Sequence, residues 1–191
     1  MKMNNQGNSS ALIAFALIVV AVLACNLADE TQKANKLVEE GNAAVQEMRK
    51  FVAEAEEKRR EMINAAEPSI KKDADWRAAR TIAKDAIAAY DKAKAKCDEA
   101  ANKFDEASKL KIKDKFKEYL TLKAKEFRKR AESAEAAKGT PQALIDTNQP
   151  AMFISKAKAN NEKVDKLVKE ADDLASQADK IQKENKDVIK S

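Results

Sequence analysis

Histidine is absent from this chain of 191 residues. Its absence excludes Ser-His-Asp and Cys-His nucleophile systems and histidine-based zinc sites. Glycine occurs only at positions 7, 41 and 139, too sparsely for a P-loop or a dinucleotide fingerprint. The two cysteines, Cys25 and Cys97, cannot build a four-cysteine zinc site or an iron–sulfur cluster, and no EF-hand loop is present. Most carboxylates stand beside Lys or Arg rather than in the apolar surroundings that tune an acid for catalysis. The expectation is therefore a protein that is not an enzyme and that uses no cofactor and no metal. Large apolar residues are scarce too: from Cys25 onward, Leu, Ile, Val and Phe together fill roughly one position in six. A core built from them is thin.

What the chain does have is helix-forming composition. Ala, Glu, Lys, Arg and Leu make up more than half of the chain from Cys25 onward, as in long packed helices. The length suits one domain, and a net charge of +5 is too mild to name a partner.

The segment 1–24 carries one charge, Lys2, and an unbroken apolar run from Ala11 to Ala24. A spanning helix needs about 20 apolar residues, whereas a secretory signal needs a basic start, a shorter apolar stretch and a small residue at the cut. The second pattern fits better. The stretch Val22-Leu23-Ala24-Cys25 also resembles the lipobox of bacterial lipoproteins, with Leu23 one place nearer the cysteine than in that family's preferred order. The resemblance covers these residues alone. It implies a lipoprotein signal peptide at 1–24, a mature chain of 25–191 and lipidation of Cys25. The alternative is an uncleaved anchor in which Cys25 is a bystander. Both readings put the body at the cell envelope, in the periplasm or cell exterior, and attach it to a membrane.

The body reads as an all-α, elongated antiparallel bundle with helices at about 27–66, 73–108, 113–138 and 150–188. From Leu27 to Ala66 a heptad seam alternates steps of four and three, with Gly41 falling on it as a close crossing or a soft point. The second seam is the cleanest: Trp76, Ala79, Ala83, Ala86, Tyr90, Ala93, Cys97, Ala100, Phe104 and Ala107. Cys97 is expected to be buried there. Register is lost at 109–113 and resumes as Ile112, Phe116, Leu120, Phe127, Ala131 and Ala134, with Asp114 a candidate cap. A break there is favoured, one continuous bent helix being the alternative. Gly139-Thr140-Pro141 reads as a stop, with Gly at C′, followed by a short turn through Ala143, Leu144 and Ile145. The last seam runs through Ala157, Asn160, Val164, Leu167, Ala171, Leu174, Ala178, Ile181, Asn185 and Val188.

One segment is unusually basic. Residues 109–130 hold Lys109, Lys111, Lys113, Lys115, Lys117, Lys123, Lys125, Arg128, Lys129 and Arg130 against three acids, with aromatics interleaved. Behind a secretory leader the fitting counterparts are anionic lipid or acidic envelope polymers, not nucleic acid. The plainer alternative is a bundle helix with aromatics inward and lysines in water. Two functions follow: a non-catalytic tethered spacer or protein-interaction module, with a protein partner or self-association through helices, or an amphiphile-binding protein acting at anionic membranes through 109–130.

Overall fold

The computed structural model describes the backbone of residues 9–69, 73–147, 149–187 and 189, and their side chains from Asp29 onward, those of 67–69 and 73–75 excepted. Among the described residues the chain is an all-α bundle of five helices: α1 (Ser9–Ser69), α2 (Asp73–Ser108), α3 (Asp114–Ala137), α4 (Gly139–Asp146) and α5 (Pro150–Glu184). The four long ones correspond to the expected bundle helices, although α5 ends at Glu184 rather than near 188, and Val188 lies outside the described residues.

The α2 seam folds as its spacing dictates. All ten residues from Trp76 to Ala107 are buried, seven of them alanine or cysteine. Such small side chains let α1 and α2 approach closely, and the facing α1 seam is buried at Ala34, Val45, Met48, Ala55, Met62 and Ala66. Gly41 marks a close crossing: a Cβ there would lie 3.1 Å from the Phe104 ring. Two cross-helix ion pairs hold the antiparallel register, Lys96–Glu47 at 2.6 Å and Lys103–Glu40 at 2.7 Å.

The break between α2 and α3 is real. Ile112 is buried as its side chain enters the core, and its N–H donates to the Leu110 carbonyl at 3.0 Å, a bond too local for a continuous helix. Asp114 does not cap α3; the cap position is Lys113, without a side-chain hydrogen bond, and Asp114 stands in the first turn where its charge suits the helix dipole.

Three further expectations are corrected. First, α1 does not begin near Leu27 but runs unbroken through the apolar stretch from Ser9, since neither Gly nor Pro interrupts the chain between Gly7 and Gly41. Second, the turn after Gly139 is a two-turn helix, α4, with Leu144 fully buried. Third, Gly139 opens α4 rather than closing α3, and among the described residues no glycine has a positive φ. Pro141 makes the break, because it has no N–H for the Ala137 carbonyl and its ring crowds that group. Gly139 instead admits α5: a Cβ there would lie 2.6 Å from the Asn160 side chain.

The helices pack in the order α1, α2, α3, α5, with α4 against α2 and α5. Helix α5 is the least enclosed. Its periodicity is as regular as that of α2, yet only Phe153, Ala171 and Ala178 are buried, because α3 covers one side while the side toward α1 stays open.

Candidate functional site

Between the outer helices α1 and α5 lies a half-open groove of about 740 Å³. That volume is within the roughly 300–1,000 Å³ of small-ligand sites. It follows α1 from Asn42 to Glu56, about 20 Å at the helical rise. Val45, Met48 and Val52 form the α1 wall, Val164 and Val168 the α5 wall, and Tyr90, Cys97 and Phe127 the floor.

Polar bonds stitch both the far end and the middle. The Tyr90 hydroxyl donates to Glu56 Oε1 at 2.5 Å, and Arg59 donates to Glu56 Oε2 at 3.2 Å and to Asn161 Oδ1 at 3.1 Å. Thr140 donates to the same Asn161 oxygen at 3.3 Å, so α1, α2, α4 and α5 meet in one chain of bonds. Burial, and then the neighbouring Glu56 carboxylate, push the Tyr90 hydroxyl well above the usual phenol range. Tyr90 therefore stays a neutral donor.

In the middle, Glu126 is buried and receives Lys123 Nζ at 2.6 Å and Arg130 Nε at 2.8 Å, one on each oxygen. Arg130 also reaches Asp172 on α5 at 3.1 Å, and Lys123 lies 5.0 Å over the Phe127 ring. A buried carboxylate held this way satisfies its charge locally. The carboxylates of Glu56 and Glu126, both on the groove, are each engaged by two donors.

Cys97 is buried on the groove floor, and burial, followed by the Asp98 charge, pushes its thiol up to about 12. Reactivity requires the thiolate. In the folded chain at pH 8, iodoacetamide is expected to leave Cys97 unmodified, and denaturant should expose it. Labelling of the native protein as fast as of the unfolded one, read by mass spectrometry, would contradict this placement.

The ten basic residues of 109–130 are not brought onto one free surface. Six are ion-paired: Lys109 and Arg128 with Asp105, Lys115 with Glu118, Lys123 and Arg130 with Glu126, and Lys129 with Glu132 and Glu170. Lys111, Lys113, Lys117 and Lys125 have no ion pair among the described residues. The side chain of Cys25 lies outside the described residues, and among the residues whose side chains are described, from Asp29 onward, no helix is long and apolar enough to cross a membrane.

The groove itself escapes a reading of the residues, since it arises from the separation of helices that are far apart in the chain. Its one local trace is Val168, an apolar residue beside the α5 seam rather than on it. No protein-family model, no curated protein and no solved structure matches the chain. The class defined by the geometry is an all-α helical bundle with an open seam.

Proposed function

We propose that the chain is a non-catalytic envelope lipoprotein, tethered to a membrane through Cys25, whose helical body is an interaction module that takes a partner's helix into the groove. The observation that carries the reading is the unfilled seam. Two helices flank a partly apolar groove that runs about 20 Å along α1, a length that suits some four turns of an amphipathic helix anchored at i, i+3, i+4 and i+7. The lipobox-like leader and the missing histidine support the tether and the non-catalytic part.

Val168 is the place to probe the groove, since it lines the wall while remaining 37% exposed. A photoreactive residue there is expected to crosslink to protein in intact cells, whereas one at Lys84, on the outer side of α2, should not. An adduct of lipid size would replace this reading with an amphiphile-binding one. For the tether, the mature N-terminus should carry a lipidated Cys25, and an intact leader of residues 1–24 in mass spectrometry would remove that part.

A further inference from the structure

The described core places one part of the basic segment at the end of the bundle from which α1 leaves toward Cys25. Residues 109–117 hold five lysines and one acid. Ile112 and Phe116 are buried in the core, which pins the α2–α3 loop in place and turns the flanking Lys111 and Lys113 outward, both exposed. Lys117 follows one turn later on α3. The Lys111 backbone N–H donates to Glu30 Oε2 at 3.4 Å, so the loop lies beside the first described side chains of α1. From Glu30 the helix runs back unbroken through Cys25, five residues or about 7.5 Å away. A lysine's four-carbon stem covers most of that distance.

From this placement we infer that the anchor-proximal end of the bundle docks on anionic lipid headgroups through Lys111, Lys113 and Lys117. The inference rests on the tethered reading for its orientation. The rest of the basic segment is excluded by its own bonds: Lys109, Lys115, Lys123, Arg128, Lys129 and Arg130 spend their charge on Asp105, Glu118, Glu126, Glu132, Glu170 and Asp172. Lys125 is exposed and unpaired among the described residues, but it stands two turns beyond Lys117, about 12 Å farther along α3. A lipid-bound acyl chain holds the body reversibly, and a basic patch at the right height supplies the second attachment that stable anchoring needs. Each lysine near an anionic surface is worth about fivefold in partition, so three together favour the docked state about a hundredfold.

The test uses the full mature chain with vesicles of phosphatidylcholine alone and of equal parts phosphatidylcholine and phosphatidylglycerol, read by flotation and by acetylation of surface lysines. The chain should float with both vesicles, and acetylation of Lys111, Lys113 and Lys117 should fall about tenfold on the anionic ones, with Lys125 and Lys166 unchanged. Equal labelling of the three lysines on both vesicles overturns the docking and leaves the tether standing. Flotation with the anionic vesicles alone, with the three lysines protected, supports the docking and overturns the tether. A chain that floats with neither overturns both.

Discussion

Phe104→Ala is expected to destabilise the bundle by about 3–5 kcal/mol, measured as a fall in the urea midpoint at unchanged slope. Phe104 is fully buried between α1 and α3, stacked on Phe127 with ring centroids 5.6 Å apart. Its surroundings cannot close over the hole. The nearest α1 position is Gly41, which has no side chain, and the α2 neighbours Ala100, Ala101 and Ala107 have no rotamers that reach into the vacated space. The cost of a cavity rises with the volume left behind, so a site whose α1 and α2 walls are glycine and alanine falls at the upper end of the range. A second substitution makes the argument specific to this contact. Gly41→Ala in the normal chain sets its helix-propensity gain of about 1 kcal/mol against a Cβ 3.1 Å from a ring that has nowhere to move. In the Phe104→Ala background that obstacle is gone, and Gly41→Ala should stabilise. A double-mutant cycle showing no coupling between the two positions would mean that the crossing is not as tight as described.

Trp76→Ala is expected to cost about as much, roughly 3–5 kcal/mol, but with a local signature. Trp76 is buried at the start of α2, where its Nε1 donates to the Thr147 carbonyl at 3.0 Å, a carbonyl that also accepts from Arg80 at 3.3 Å. Its ring meets Phe153 edge-on at 6.1 Å, an arrangement worth about 0.5–1.5 kcal/mol beyond area. One side chain thus ties α2 to the end of α4 and to the first turn of α5. Removing it should raise amide exchange over residues 139–157 far more than over the α1–α2 seam near Phe104. Trp76→Phe keeps an aromatic ring and leaves Thr147 its Arg80 donor, so it should cost only about 1 kcal/mol. A loss spread evenly over all helices would show that this corner is not a separate packing unit. Its separateness is already visible in the core, where Trp76, Leu144 and Phe153 form a cluster apart from that around Phe104.

Sequence pattern and structure agree where a residue's environment depends on its own helix. The three-four spacing from Trp76 to Ala107 puts ten residues on one stripe whatever the partner, and every one of them is buried. Loss of register at 109–113 likewise marks the end of α2, since two apolar residues two apart cannot share a helical face. Pattern and structure part where the partner decides. The residues of α5 keep the same period as α2, yet most of the α5 stripe is only partly buried, because its outer flank has no neighbour. At Gly139 the glycine is legible and its purpose is not: a C′ glycine and a glycine that admits the Asn160 side chain look identical in one dimension.

The basic segment shows the same division most clearly. The ten cations between Lys109 and Arg130 are written in the chain, as are the acids, but their pairing belongs to the fold. Asp105 on α2 takes Arg128, Glu170 on α5 takes Lys129 and Asp172 takes Arg130, partners that lie on different helices. What the sequence determined by itself was class and exclusion: an all-α bundle of alanine-seamed helices with no histidine chemistry. Hydrophobic period and residue inventory are local properties, independent of which helix lies alongside. Which lysines lack an ion pair among the described residues, where α1 and α5 part to leave a groove, and that the α2–α3 loop lies beside Glu30 of α1 were decided only in the tertiary structure. Those outcomes depend on the relative placement of helices, set by the sizes of the side chains that meet between them.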